Sequence, residues 1–245
     1  STVEQFSSEI PFVWVRGNHE TRGKFARMLP RYIDSPNGRY YFSFDHGPLH
    51  VVILDSEDSD PDSDGAMADW LRRDLAANEQ RWTITAFHHP PYSRGGHDSD
   101  DEMDSWGRLV EMRESILPIL EAGGVDLVLS GHSHVYERSF LLDCHYGFSS
   151  SLEPGMILQR EGPYRKAPGP HQGTLYVVAG SSSKLDNGPL DHPAMAVAMS
   201  VLGSLVIEVE GNRLTGRFID SAARVRDAFT LIKDDDAERR AGACS

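Results

Sequence analysis

Three short segments of the sequence combine histidine with glycine, asparagine or proline in patterns that suit metal-ion chemistry. They are Gly-Asn-His-Glu at 17–20, His-His-Pro-Pro at 88–91 and Gly-His-Ser-His at 131–134. Neutral imidazole is the commonest side-chain ligand for borderline metal ions. A glycine just before two of these groups lets the backbone turn sharply toward an ion. The three segments therefore predict a metal site.

Each of these segments follows a short apolar run rich in β-branched or aromatic residues. The runs are Phe12–Val15, Thr83–Phe87 and Val125–Leu129. Such runs, ended by polar or turn-forming residues, are typical of buried strands. An α/β sheet places its ligand crevice at the carboxyl ends of its strands. The sequence thus predicts that the three loops meet at one edge of a sheet.

Taken singly, each segment also has a simpler explanation. Gly-Asn-His-Glu could be an ordinary turn, and His-His-Pro-Pro could be a capped strand end. Gly-His-Ser-His is harder to explain in this way, because two histidines two residues apart after a buried strand converge poorly on anything but a metal ion or a phosphate. The presence of all three segments in one chain favours the metal site.

The rest of the chain predicts a mixed α/β organisation. A further strand is predicted at Val51–Leu54, and apolar residues at helical spacing predict one helix through 67–75 and a second through 106–120. The second helix should end at Gly123 and should be kinked or shortened by Pro118.

The second half of the sequence changes character. Residues 140–173 are rich in glycine, proline and serine, and they predict a long ordered loop over the active face. Residues 174–233 form a β-rich part. Within it, Gly211 and Asn212 predict a tight hairpin.

Length and charge limit the classes of function. The 245 residues, 39% of them hydrophobic, can bury one large core, so a single domain over 1–245 is predicted. The formal net charge of −13 would repel polyanions, which argues against nucleic acid and anionic membrane surfaces as partners. No apolar run approaches the roughly 18 residues that span a bilayer. Small phosphorylated substrates remain possible where metal ions supply positive charge.

The cysteines and the start of the chain carry two further predictions. Cys144 and Cys244 lie far apart and neither belongs to a C-x-x-C pair, so no disulfide is expected. The chain starts at Ser1 without a leader pattern and soon enters the apolar run at Ile10. We therefore expect a fragment whose export signal, if it has one, lies upstream.

Together the three segments resemble the third, fourth and fifth signature blocks of the calcineurin-like metallophosphoesterases. The extension Val-Tyr-Glu-Arg at 135–138 and the segment Gly-Thr-Leu-Tyr-Val-Val-Ala-Gly-Ser at 173–181 resemble the purple acid phosphatase branch in particular. The resemblance covers residues 12–139. It implies a four-layer α/β/β/α sandwich, in which two mixed β-sheets are flanked by helices. Proteins of this branch are often exported, which would suit a secreted or periplasmic parent protein.

The resemblance also implies a set of metal ligands. Asn18, His88 and His132 would bind one metal ion, and His134 would bind a second. His88 is chosen over His89 because the family pattern places the ligand two positions before the proline. The ions would be iron, manganese or zinc. A tyrosine ligand would favour ferric iron, and its absence would favour manganese, zinc or ferrous iron.

Two further histidines receive catalytic roles by the same resemblance. His19 would contact the phosphate and protonate the leaving alkoxide, as a general acid does. His97 lies where related enzymes keep another substrate-facing histidine, and its alternative is a solvated loop residue. The implied activity is hydrolysis of phosphoric esters, most simply phosphomonoesters, by a metal-activated hydroxide attacking in line. Phosphodiesters and nucleotides are the nearest variants.

The sequence departs from the family in one respect. The first two signature blocks supply the bridging carboxylate and most ligands of one ion, and they should precede Gly17, but neither is present in residues 1–16. The fold is therefore expected to be incomplete at its N-terminus. These 245 residues alone should turn over substrate weakly or not at all. The alternative is a non-catalytic remnant that binds metal.

Overall fold

Thirteen β-strands and three α-helices lie in the part of the chain described by the computed structural model, which is residues 10–22, 26, 38–57, 62–240 and 244. The helices are α1 Ala66–Ala77, α2 Arg108–Glu111 and α3 Leu117–Ala122. The strands are β1 Phe42–His46, β2 Leu49–Ile53, β3 Trp82–Ala86, β4 Leu127–Ser130, β5 Tyr136–Ser139, β6 Leu141–Leu142, β7 Ile157–Gln159, β8 Tyr164–Lys166, β9 Leu175–Ala179, β10 Met195–Met199, β11 Gly203–Glu210, β12 Arg213–Asp220 and β13 Val225–Lys233. Within those residues, no helix combines the length and the apolarity needed to cross a bilayer.

The larger sheet has seven strands in the order β1-β2-β3-β4-β9-β5-β10. Its centre is parallel, since β2, β3, β4 and β9 run in the same direction, and the outer strands β1, β5 and β10 are antiparallel to their neighbours. Parallel strands are covered on both faces, which explains the continuous apolar runs of the sequence. The predicted strands in 51–54, 83–87 and 125–129 are confirmed as β2, β3 and β4.

The smaller sheet has four strands in the order β11-β12-β13-β8, and it is also mixed, because β8 runs parallel to β13. The predicted hairpin joins β11 to β12, with Glu210 opposite Arg213 and a two-residue loop between them. Gly211 has a φ of 55°, the positive value that such loops use at the first central position. The strands predicted in residues 174–233 are therefore present as β9 to β13.

The side chains of the larger sheet divide between two cores according to the two-residue period of a strand. Val128 and Tyr176 point to the core that holds the helices. Their neighbours Leu127 and Leu175 point to the core between the two sheets. In the described part of the chain the helices pack on one side, so the layers run helix, sheet, sheet.

A buried ionic contact joins the two sheets. Asp126, directly before β4, accepts Lys166 of β8 at 2.9 Å and Lys233 of β13 at 2.8 Å. The side chains of all three residues are at most 5% exposed. The backbone N–H of Thr83 also donates to Asp126 at 2.9 Å. Two ammonium groups thus converge on one carboxylate in the interior.

The second predicted helix begins later than expected and is interrupted. Trp106 lies before it in a 3-10 turn, with a φ of 57° and a side chain that is 73% exposed. A π-helical turn, Met112–Ile116, separates α2 from α3. Pro118 gives the reason, because its ring crowds the carbonyl four residues earlier, that of Glu114 in the same turn. The helix ends directly before Gly123, as predicted.

The segment 140–173 is more regular than the predicted long loop. It contains β6, β7, β8 and two 3-10 turns at Ser149–Ser151 and Pro154–Met156. Tyr146 donates to the buried carboxylate of Glu121 at 2.6 Å, and the N–H of Ser149 donates to the carboxylate of Asp100 at 2.9 Å. The segment therefore packs against the end of α3 and against the loop that follows β3.

The predicted strand at Phe12–Val15 is absent, and the prediction is wrong for these residues. They have no regular structure, and Phe12 is 62% exposed. A strand needs a ladder partner for its backbone groups, and residues 11–17 pair with no strand in the described part of the chain. Val15 instead borders a cleft of about 330 Å³ beside the ends of β3 and β4.

The expectation that the chain has no disulfide is also wrong. Cys144 and Cys244 are bonded, with their Cα atoms 5.3 Å apart and 100 residues between them in sequence. Folding brings Cys244 back to the loop that follows β6. A pair separated by 100 residues leaves no local signature in the sequence, which is why spacing alone gave no sign of it.

Candidate metal centre

The loops after β3 and β4 are neighbours because their strands are neighbours. Ala86 pairs with Leu129 in parallel register, so both strands end at the same edge of the sheet. The N–H of Gly131 then donates to the carbonyl of His88 at 3.1 Å. The predicted meeting of these two loops at the carboxyl edge is confirmed.

The Gly-Asn-His-Glu turn reaches the same place without a strand to carry it. Arg16 forms a buried ion pair with Asp55, which follows β2, and its Nε lies 3.3 Å from the same carboxylate. A Cβ at Gly17 would lie 2.6 Å from the ring of His88, so only glycine permits this approach. The N–H of Glu20 donates to Gly17 at 3.1 Å and closes the turn.

Three donor atoms converge at this edge. The Nε2 atom of His88 lies 3.1 Å from Oδ1 of Asn18 and 3.0 Å from Nδ1 of His132. Burial, aided by the nearby histidines 19, 134 and 97, lowers the pKa of His88 to about 4. Burial and nearby histidines lower the pKa of His132 to about 2. Both imidazoles are therefore neutral near pH 7, which is the form that binds metal ions.

His89, next to the predicted ligand His88, has a different environment. Its Nδ1 lies 2.8 Å from the hydroxyl of Ser56 and its Nε2 lies 3.3 Å from the carboxylate of Glu57. Both ring nitrogens thus have protein partners. His89 is almost fully buried, and burial, followed by the neighbouring His132 and His88, lowers its pKa to about 2. His89 thus joins the loop after β3 to Ser56 and Glu57, which follow β2.

The ring of His132 is held on its other side by the loop that follows His97. Ser105 lies 2.6 Å from Nε2 of His132, so the opposite nitrogen, Nδ1, faces His88. The ring of His97 stacks on that of His132 at 3.8 Å between centroids. The Nδ1 atom of His97 lies 2.8 Å from Asp104. The ring of His97 is therefore packed against the cluster and bonded to Asp104.

His134 is oriented by a carboxylate that the sequence did not single out. Its Nδ1 lies 2.6 Å from Oδ2 of Asp186, and its backbone N–H donates to the same oxygen at 3.1 Å. Lys184 lies 3.2 Å from the other carboxylate oxygen. A carboxylate on one ring nitrogen fixes the tautomer and leaves the other nitrogen as a ligand atom, as metal-binding histidines commonly require.

A buried hydrogen-bond network holds the His97 loop against Gly-His-Ser-His. The carboxylate of Glu137 accepts the Ser93 hydroxyl at 2.5 Å and the Arg94 N–H at 3.1 Å. Ser93 lies 2.8 Å from the hydroxyl of Ser133, which in turn accepts the N–H of His97 at 3.1 Å. Burial raises the pKa of Glu137 to about 7.

The structure thus brings together most of the predicted residues but not all. Asn18 contacts His88, His88 contacts His132, and His132 contacts His97. His19 is exposed on the turn after Asn18. His134 lies outside the groups of closely spaced ligand atoms found in the described residues. Sequence reasoning missed the supporting side chains, which are Ser93, Asp104, Ser105, Glu137 and Asp186.

With this geometry in place, the comparison with known proteins is informative. A family profile described as calcineurin-like phosphoesterase matches residues 2–136, more than half of the chain. The chain belongs to that family. Its relatives place it in the purple acid phosphatase-like branch, as the sequence motifs predict.

The relatives are considerably longer than this chain. Purple acid phosphatase 18 of Arabidopsis thaliana is 30% identical over 152 residues, which make up 56% of this chain and 33% of that protein. Acid phosphatase type 7 of Homo sapiens is 27% identical over 198 residues, or 74% of this chain and 42% of that protein. The chain thus spans between a third and a half of the length of these relatives.

A solved structure supports the fold. The purple acid phosphatase PPD1 from yellow lupin (Lupinus luteus) seeds matches with a TM-score of 0.70 at 18% identity, covering 90% of this chain and 39% of that one. The mixed α/β architecture with its two mixed sheets is therefore that of the family, as predicted.

Membership of this branch implies a dinuclear metal centre, and the donor atoms fit one ion well. The set is an amide oxygen and two neutral imidazole nitrogens, and the Asn18 oxygen and the His132 nitrogen both lie within 3.1 Å of Nε2 of His88. This set suits a borderline divalent ion. The second ion finds only His134 among the predicted ligands in the described residues, so the fit there is incomplete.

Proposed function

We propose that the protein is a metal-dependent phosphoric ester hydrolase acting on phosphomonoesters. The observation that carries the proposal is the convergence of Asn18, His88 and His132, with Nε2 of His88 3.1 Å and 3.0 Å from the other two donor atoms. We assign these three residues to one ion and His134 to a second. The ions are iron, manganese or zinc.

The chemistry divides between the ions and the chain. Two bound ions would hold the phosphate oxygens and lower the pKa of a bound water. The chain holds and orients the protons. His97 stays ordered through Asp104, whose carboxylate keeps a proton on Nδ1 and leaves Nε2 to face substrate. His19, exposed on its turn, can reach a bound ester and give a proton to the leaving oxygen.

We propose a small phosphorylated molecule as the substrate. The net charge of −13 works against polyanionic substrates such as nucleic acids. Near the site, Asp98 and Asp101 add negative charge beside Asp104. A compact dianion held by metal ions tolerates this field better than an extended polyanion does.

The incomplete second ion site bears on activity. We expect these 245 residues to bind one ion through Asn18, His88 and His132 and to turn over substrate weakly or not at all, with full turnover belonging to the complete protein. A metal-binding remnant without catalysis is the alternative. It shares the ligands of the first ion and differs in lacking turnover altogether.

The test compares metal content and hydrolysis of p-nitrophenyl phosphate between wild type and His132→Ala. The matched control is His46→Ala, because His46 is an exposed histidine of β1 that pairs with Leu49 at the start of β2, at the sheet edge opposite the metal-binding loops. We expect His132→Ala to lower metal content by about one ion per chain and His46→Ala to leave it unchanged.

Three results would change the proposal. Unchanged metal content in His132→Ala would refute the ligand assignment. Metal binding without any hydrolysis by the complete protein would leave the remnant as the function. Rapid turnover by residues 1–245 loaded with two ions would refute the expected weakness of this stretch.

A further inference from the structure

A second group of metal-ligand side chains surrounds the disulfide, away from the histidine loops. Five residues place one donor atom each within 4.8 Å of the others: Glu121, Asp143, Cys144, His171 and Cys244. The Glu121 carboxylate already accepts the Cys144 N–H and two tyrosine hydroxyls, which leaves the other four as candidate ligands. The Sγ atom of Cys244 lies 3.6 Å from Nδ1 of His171, which lies 3.1 Å from Oδ1 of Asp143. Two sulfurs, an imidazole and a carboxylate are ligands that zinc accepts.

We propose that reduction of the disulfide converts this group into a zinc site. The two thiolates, Nδ1 of His171 and Oδ1 of Asp143 would be its four ligands. In the oxidised protein the sulfurs are bonded to each other and the site is closed. The site is independent of the phosphoesterase centre, because it shares none of that centre's ligands.

The spacing of the donor atoms suits tetrahedral zinc. With Zn–S of about 2.3 Å, Zn–N of about 2.05 Å and tetrahedral angles, sulfur and nitrogen should lie about 3.6 Å apart and nitrogen and oxygen about 3.4 Å apart. The observed separations are 3.6 Å and 3.1 Å. The two sulfurs have to separate to about 3.8 Å, which rotation about their Cα–Cβ bonds would provide.

The backbone around the group is held in place by one residue, Glu121. Its carboxylate accepts the N–H of Cys144 at 2.7 Å, and its carbonyl accepts the N–H of His171 at 3.0 Å. Cys144 and His171 both have positive φ, 66° and 54°, a conformation that is rare outside glycine and is common where side chains are aimed at a ligand. Glu121 thus fixes the backbone of two of the proposed ligands.

The carboxylate of Asp143 has one oxygen available for this role. Its side chain is 3% exposed, and Oδ2 lies 3.4 Å from the guanidinium of Arg240. Oδ1 is the atom that faces His171. Arg240 therefore holds the carboxylate from behind and offsets part of its charge without occupying the ligand oxygen.

The redox step balances with a dithiol reductant. One thiolate of the reductant attacks a protein sulfur, the S–S bond breaks and the other protein thiolate leaves. The second thiolate of the reductant then attacks the reductant's own sulfur in the mixed disulfide and releases the second protein thiolate. Two electrons reach the protein, which gains two thiols, and the reductant becomes a cyclic disulfide. Zinc binding then releases the two thiol protons to solvent.

The consequence is that Cys244 stays attached to the loop after β6 in either redox state. A covalent bond holds Cys244 under oxidising conditions, and a metal ion holds it under reducing conditions. Zinc would thus replace the crosslink that reduction removes.

The test uses cobalt as a spectroscopic substitute for zinc. The full chain is reduced with dithiothreitol, freed of it by anaerobic desalting and titrated with Co²⁺. Thiolate ligation gives an intense near-ultraviolet charge-transfer band, and Cys144 and Cys244 are the only cysteines of the sequence, so histidine-only sites stay silent. We expect the band to saturate once the histidine centre and the thiolate site are both filled and zinc to abolish it, whereas the oxidised protein shows no band.

Two variants keep the disulfide and remove other ligands. His171→Ala and Asp143→Asn can be checked for folding in the oxidised state before reduction. Each should weaken Co²⁺ binding by at least about tenfold, because even indirect partners of a ligand contribute that much. His46→Ala, an exposed histidine, should bind as the wild type does.

Three results would overturn the proposal. The first is a reduced wild type that shows no charge-transfer band even when enough Co²⁺ has been added to fill both the histidine centre and the thiolate site. The second is an affinity unaffected by both ligand variants. The third is a reduced protein whose circular dichroism is lost and is not restored by zinc.

Discussion

Removal of the Cys144–Cys244 disulfide should destabilise the fold by a calculable amount. The bond closes a loop of 100 residues. The loop-entropy relation gives about 4.7 kcal/mol for a loop of that length at 25 °C. With an unfolding entropy of about 2.1 cal/mol/K per residue and 245 residues, this corresponds to a fall in Tm of roughly 9 °C.

The contacts of Arg240 do not depend on the disulfide and remain in a variant without it. Arg240 remains paired with Asp143 at 3.4 Å, and its backbone exchanges hydrogen bonds with the side chain of Gln172 at 3.0 and 3.3 Å. Arg240 therefore stays in place in the native variant, and the effect falls on the unfolded chain, which becomes less constrained. The m-value of unfolding should rise with it, since a chain without the crosslink exposes more surface.

The assay is urea unfolding of the double variant Cys144→Ser, Cys244→Ser beside the wild type, both with a chelator present so that no metal can bridge the sulfurs. Wild type with a dithiol reductant is the matched control and should resemble the variant. Equal midpoints for wild type and variant would refute the reasoning. So would two titratable thiols in unreduced, unfolded wild type, because they would show that the bond does not form.

Three other predictions concern supporting side chains. Asp186→Asn should weaken metal binding at His134 by about 10- to 100-fold, measured by titrating the metal-free protein until both ion sites are filled. An unchanged affinity would argue against an orienting role of Asp186. Burial lowers the pKa of His50, but hydrogen bonds to two aspartates outweigh it and leave that pKa raised, so the stabilisation is complete below the unfolded pKa and is lost as pH rises through the folded one. His50→Gln should therefore cost more stability at pH 6 than at pH 8.5, and equal losses in urea midpoints would contradict this. Glu137→Ala should cost about 1–3 kcal/mol by leaving donors of the 93–97 loop unpaired, and a loss within error of zero would show that the network is dispensable.

The parts of the site that follow from strand geometry could be predicted from the sequence. His88 and His132 come directly after strands of continuous apolar residues, and parallel neighbours end at one edge. The choice of His88 over His89 as the ligand stays a prediction. The geometry is consistent with it, because His88 faces Asn18 and His132 whereas His89 bonds to residues behind the loop.

The parts that depend on distant pairing could not be predicted. Asp186 meets His134 across 52 residues, and no period or spacing in the sequence connects them. Asp104 lay within an acidic stretch that has the composition of a solvated loop, and only folding brings it to His97. The run at Phe12–Val15 has strand composition, yet composition cannot supply the neighbouring strand that its backbone needs.

The carboxylate of Asp126 between the two lysines has a consequence for the alignment of the sheets. A slide of one residue along a strand moves a side chain by about 3.3 Å, which would leave two buried ammonium groups without their partner. Each uncompensated buried ion costs several kcal/mol, so only one alignment of the smaller sheet on the larger is permitted. Since Asp126 directly precedes β4, and β4 leads into the loop of His132, that alignment also fixes the starting point of the metal-binding loop. Substitutions at Lys166 or Lys233 should consequently alter metal affinity from the far side of the molecule.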